Sequence, residues 1–149
     1  MKRENKLRVV IDTNLIISAL IVPDSTPNKL IRAWQNNLYV PVISHQLINE
    51  LEEVSKRNKF KKYHLLQTQM NKIIENFKSS TELAVALPIK ELPLHSRDPK
   101  DDKLLSCAFG ANADYLISGD LDILDLNGNT KLGKLKIISA KEFLDLFSS

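Results

Sequence analysis

A chain of 149 residues, 43% hydrophobic and 26% charged, has the balance of a globular protein with one core and not of a disordered one. Its one cysteine, Cys107, excludes an internal disulfide, and no apolar run is long enough to cross a bilayer as a helix. The net charge of +3 is unevenly spread: between Asp98 and Asp125, seven aspartates meet two lysines, so that window carries −5 and the rest of the chain +8.

Residues 7–11 form a β-branched apolar run ending at Asp12, which reads as a buried strand. Residues 13–21 are apolar enough for a helix packed on it. Thr26 and Pro27 have the form of an N-cap followed by proline at the first helical position, with a helix to about Asn36. Residues 38–43 read as a second strand. Ser44 caps a helix from His45 to about Arg57, and a further helical stretch covers residues 65–78. Residues 83–87 are expected as a third short strand and residues 88–97 as a loop. Asp98-Pro99 opens a helix ending near Asn112. Residues 115–117 are a fourth strand, followed by the turn Ser118-Gly119-Asp120. Residues 136–138 are a fifth strand, and Ser139 with Glu142 forms a capping box for the last helix. Strands alternating with helices predict an α/β fold with a parallel sheet covered on both faces. No repeat or linker divides the chain, so one domain over residues 1–149 is expected. No secretory leader is recognisable, which makes the cytoplasm the expected compartment.

In an open parallel sheet, function collects at the carboxyl ends of the strands. Asp12 ends strand one, and Asp120 lies two residues past strand four. Parallel strands would put both carboxylates on one edge. On the helix after Asp98, Leu104, Leu105, Ala108 and Asn112 define the inward stripe at 100° per residue. Asp101 lies near its centre, while Asp102 is about a quarter turn off. A carboxylate facing inward is costly unless a cation or donor meets it. Asp98 reads as an N-cap. On the helix after Ser44, Leu47, Ile48, Leu51 and Val54 face inward. Glu50 and Glu52 flank them, and Glu53 points away, so periodicity leaves Glu50 and Glu52 open. Such acids suit hard divalent cations, which prefer oxygen ligands, activate water and neutralise a phosphate in flight. The surrounding positive charge suits a polyanionic substrate. There is no G-x-S-x-G, P-loop, G-x-G-x-x-G or zinc spacing, and His45, His64 and His95 form no metal pair.

Four segments carry a family resemblance. Val9-Val10-Ile11-Asp12-Thr13-Asn14 resembles the opening motif of PIN domains. Pro41-Val42-Ile43-Ser44 with Glu50 resembles the second motif, and this selects Glu50 over Glu52. The stretch from Asp98-Pro99-Lys100-Asp101-Asp102 to Leu105 resembles the third, and Ala113-Asp114 through Ser118-Gly119-Asp120-Leu121-Asp122 to Leu124 the fourth. The match runs over residues 7–147. It is similar to the toxin components of type II toxin–antitoxin systems, the VapC-like ribonucleases. The resemblance implies a three-layer α/β/α fold around about five parallel strands and Mg²⁺- or Mn²⁺-dependent cleavage of RNA. It also implies an antitoxin partner and frequent homodimers. The acids it implies for catalysis and metal are Asp12, Glu50, Asp101 and Asp120, with Asp122 as a further metal position. Asp102 remains the alternative third acid; Asn14 and Ser118 occupy supporting polar positions.

Lys56, Arg57, Lys59, Lys61 and Lys62 crowd seven residues beside Phe60 and Tyr63. They read either as an RNA-contacting arm or as a solvated face. Cys107 and Trp34 read as packing residues. Two other enzyme classes fit poorly. Dehalogenase-type phosphotransferases need a second aspartate where Asn14 stands, and receiver domains need paired acids after strand one. A degenerate nuclease fold that only binds RNA or protein is the non-enzymatic alternative.

Overall fold

The computed structural model describes residues 6–56, 68, 71–72, 75–76, 79 and 82–148. In chain order the elements are β1 (Arg8–Ile11), α1 (Thr13–Ile21), α2 (Thr26–Gln35), β2 (Val40–Ser44), α3 (His45–Ser55), β3 (Glu82–Ala84), α4 (Asp102–Gly110), β4 (Tyr115–Ile117), α5 (Leu121–Leu124), β5 (Lys136–Ile138) and α6 (Ala140–Asp145). The five strands form one sheet in the order β3-β2-β1-β4-β5, every pair parallel. Helices flank the sheet in an α/β/α arrangement: α2 packs on α1 and α6, while α4 packs on α3 and on β1, β2 and β4.

The central strands are buried because both sheet faces are covered. Val9 and Val10 of β1 and Leu116 and Ile117 of β4 are fully enclosed. Each such side chain contributes roughly 1.5–3 kcal/mol relative to exposure. Trp34 is buried with Leu30 and Ile31 at helical spacing, and Cys107 is enclosed in α4. Phe143 of α6 meets Tyr39 and Tyr115 edge-to-face, with ring centroids 5.1 and 5.4 Å apart. No described helix is long and apolar enough to cross a membrane.

Several boundaries differ from expectation for identifiable reasons. Ser25, not Thr26, caps α2: its hydroxyl accepts the Asn28 N–H, which puts Pro27 in the first turn, where no N–H is needed. The third strand stops at Ala84 because the chain then leaves the sheet for α4, where the Leu87 N–H bonds the Ser106 carbonyl. The region 88–97 contains a 3₁₀ turn, Ile89–Glu91, and is pinned by buried Leu92 and Leu94. The helix after Asp98 begins as a 3₁₀ turn, Pro99–Asp101. It ends at Gly110, and Asn112, expected on the inward stripe, is exposed with φ 53°. Ser139 and Glu142 form the expected capping box. The helix expected over residues 65–78 lies mostly outside the described residues, although Thr68, Asn71, Lys72, Glu75 and Asn76 are helical.

Candidate active site

The parallel pairing of β1 and β4 sets Ile11 beside Ile117, so the residues that follow both strands emerge at the same edge. The strand order reverses here, which opens a crevice at the carboxyl ends. Asp12 caps α1: its Oδ1 accepts the Asn14 N–H at 3.0 Å. Its Oδ2 accepts the hydroxyl of fully buried Ser118 at 2.8 Å. The Ser118 oxygen in turn accepts the Asp120 N–H at 3.0 Å. Asp120 caps α5, its Oδ1 accepting the Asp122 N–H at 2.9 Å.

Two further acids come from the turn before α4. Asp98 caps the 3₁₀ turn, its Oδ1 accepting the Lys100 N–H at 3.0 Å. Asp101 is buried, and its Oδ2 accepts the Ser96 hydroxyl at 3.2 Å. One oxygen from each of Asp98, Asp101 and Asp120 lies within 4.8 Å of the others. The capping bond of Asp98 and of Asp120 uses Oδ1, and among the described residues no hydrogen bond occupies Oδ2. Local backbone geometry thus fixes each carboxylate by one edge and leaves the other edge for the cleft.

The cleft has a volume of about 550 Å³ and takes in Asp12, Asn14, Glu50, Asp98, Asp101 and Asp120, with Lys100 and Lys103 among its walls. Glu50 is held from two sides. Its Oε2 accepts the Thr13 hydroxyl at 2.6 Å, and its Oε1 lies 3.9 Å from the Lys103 ammonium. The four acids expected from the sequence therefore line one cleft, but the tightest group of three contains Asp98 in place of Asp12 or Glu50. Asp102 is turned elsewhere: Oδ1 accepts the Ser96 N–H at 2.9 Å and Oδ2 lies 2.8 Å from His95 Nδ1. Asp122 also lies outside the cleft, 3.0 Å from the Arg97 guanidinium, which reaches Asp125 at 2.6 Å. Glu53, which periodicity directs away from the core, lines the cleft, because the cleft lies beside the core and not within it. Lys56 is exposed at the end of α3. Arg57, Lys59, Lys61 and Lys62 lie outside the described residues.

The site is strongly negative. Burial pushes the Asp12 carboxyl up; the Asn14 N–H and the Ser118 hydroxyl oppose this, and Glu50 and Asp120 add to it. Asp101 is raised to about 6, first by burial and then by the nearby Asp120 carboxylate. Among the described residues no lysine or arginine pairs with Asp12, Asp98, Asp101 or Asp120. Clustered carboxylates without a protein cation, supplying only hard oxygen donors, fit a divalent ion such as Mg²⁺ or Mn²⁺.

Asp98 has a sequence signal for capping, and one residue can cap with one oxygen and face a cleft with the other. Ser96 and Arg97 carry no signal of their own, since their partners depend on the path of the 92–98 segment. The Thr13–Glu50 bond could have been sought from Thr13, which follows Asp12 directly.

A parallel sheet with an acid-lined crevice at its reversal point defines an α/β protein of PIN-like architecture. A family model described as PIN domain matches residues 8–122, and the chain belongs to the PIN-domain family, whose members are generally nucleases. It is similar to uncharacterized protein MJ1680 of Methanocaldococcus jannaschii, at 31% identity over 147 residues, covering 95% of this chain and 92% of that protein. Its fold is similar to the crystal structure of PAE2754 from Pyrobaculum aerophilum, with a TM-score of 0.58 and 13% identity, covering 95% of this chain and 90% of that one. It is similar also to VapBC2 from Rickettsia felis, solved bound to a DNA fragment from their promoter. There the TM-score is 0.53 and the identity 20%, covering 89% of this chain and 98% of that one.

Proposed function

We propose that the chain is a divalent-metal-dependent endoribonuclease, the toxin of a toxin–antitoxin pair. The observation that carries this reading is the convergence of Asp98, Asp101 and Asp120 within 4.8 Å, in a cleft shared with Asp12 and Glu50. These five acids would hold Mg²⁺ or Mn²⁺, which when bound polarises a phosphate and lowers the pKa of water. Asn14 and the hydroxyl of Ser118 support the set from the strand edge. The chain's own groups supply order and charge. Ser118 fixes Asp12 against Asp120, and Thr13 fixes Glu50. Lys100 and Lys103 give the cleft a positive flank that draws a polyanion towards an otherwise repulsive site. The cationic run from Lys56 to Lys62 would add to that attraction for a polyanion.

The toxin reading rests on family membership and on fold likeness to the VapBC2 complex. It entails a small antitoxin partner, and homodimerisation and a cytoplasmic setting go with it. The test is cleavage of single-stranded RNA by purified protein. Cleavage is expected with Mg²⁺ or Mn²⁺ and none in excess chelator, and Asp12→Asn or Asp120→Asn should abolish it while the fold persists. Full activity in chelator would reject the mechanism.

A further inference from the structure

Two serines stand in equivalent relations to the acids of the cleft. Ser118 Oγ donates to the Asp12 carboxylate and accepts the Asp120 N–H. Ser96 Oγ donates to Asp101 Oδ2 at 3.2 Å and accepts the Asp98 N–H at 3.3 Å. Both are buried. In each case one hydroxyl ties the side chain of one acid to the backbone of a second, so their separation is set by one oxygen atom. Ser96 is itself held, because its own N–H donates to the buried Asp102 carboxylate, whose other oxygen meets His95.

We propose that Ser96 is a positioning residue for the metal-holding acids, doing for Asp101 and Asp98 what Ser118 does for Asp12 and Asp120. The inference deepens the metal-dependent reading above and rests on it. Asp101 has an oxygen within 4.8 Å of oxygens of Asp98 and Asp120; carboxylates this close repel one another, so a hydrogen-bond donor is needed to hold Asp101 in a fixed position. The Ser96 hydroxyl is its one side-chain donor among the described residues. Asp102 acts one step behind: it anchors Ser96 through the backbone, and this gives the buried second aspartate of the pair a use without placing it in the cleft.

The test is Mn²⁺ titration of full-length protein by calorimetry for the parent, Ser96→Ala, Ser96→Thr and Ser96→Cys, with RNA cleavage measured at saturating Mn²⁺. Ser96→Ala should weaken Mn²⁺ binding by about tenfold or more, the size of effect seen when a group orienting a metal ligand is removed. It should lower kcat while leaving KM for RNA within about twofold. Ser96→Thr, which keeps the hydroxyl, should recover most of the affinity. If the alanine variant fails to fold, the near-isosteric Ser96→Cys, a weaker donor, carries the test and should bind Mn²⁺ less tightly than the parent. Mn²⁺ affinity equal to the parent's in a folded Ala or Cys variant overturns the role of Ser96 alone. A parent that binds no Mn²⁺ overturns the metal-dependent reading itself, and the role of Ser96 with it.

Discussion

The carboxylate of Asp12 and the hydroxyl of Ser118, 106 residues apart in sequence, meet at 2.8 Å where β1 and β4 end side by side. That bond joins the two halves of the sheet at the point where strand order reverses, and it fixes the first of the acids lining the cleft. Ser118→Ala removes a donor to a buried carboxylate and an acceptor for the Asp120 N–H. Loss of about 1–3 kcal/mol is expected. Ser118→Thr keeps the hydroxyl and should lose less. Urea denaturation of the two variants decides this, and equal stability for parent and alanine variant would contradict it.

The acid cluster makes the metal-free protein sensitive to pH in a defined direction. Asp12 and Asp101 hold their protons more tightly in the folded chain than in the unfolded one. The Asp101 contribution is therefore fully present below the ordinary value of 3.8 and is lost as pH rises through about 6, and Asp12 acts in the same direction. Thermal melts in chelator should show stability falling across this window, and Asp101→Asn should flatten the fall. Mn²⁺ added at pH 7 should raise the midpoint, since an ion that binds only the folded state stabilises it.

Gly110 allows the chain beyond β3 to pass under α4. A Cβ there would lie 2.0 Å from the Val85 carbonyl oxygen and 2.8 Å from the Leu87 nitrogen, both backbone atoms with little room to yield. Gly110→Ala should destabilise by about 1–3 kcal/mol or more. Gly119→Ala, which meets nothing within 4 Å, is the control and should stay near the parent value in the same denaturation series.

Asp122 and Asp120 stand two residues apart but should differ in kind. Asp120 contributes an oxygen to the cluster, whereas Asp122 pairs with Arg97 outside the cleft. Asp120→Asn should reduce RNA cleavage by about a hundredfold or more, beyond the effect of losing a mere orienting group. Asp122→Asn should stay within about threefold, because an exposed ion pair contributes little. Comparable losses in both would return Asp122 to the metal set.

Much of this was legible in the residues. Asp12 and Asp120 were readable because a β-branched run ending in an acid marks a strand end. Parallel pairing then puts such ends on one edge. Asp101 was readable because a carboxylate on the apolar stripe of a helix calls for a partner. Glu50 was not separable from Glu52 by periodicity, since both flank the core stripe of α3; the motif resemblance chose it. What stayed hidden depends on the path of irregular chain. The segment from Leu92 to Asp98 brings Ser96 under Asp101 and Arg97 over Asp122, and neither follows from local pattern. Asp98 was hidden by its own success as a cap, and Glu53 by a cleft that opens to the side of the core.

The most direct test of the central claim is an anomalous difference map from crystals of the protein grown with Mn²⁺. A peak is expected between the carboxylates of Asp98, Asp101 and Asp120, with Asp12 and Glu50 on the same cleft, and it should be absent or much reduced in Asp101→Asn crystals. Well-ordered crystals with this cleft open to solvent and no peak there, or a peak bound only by residues outside it, would contradict the account.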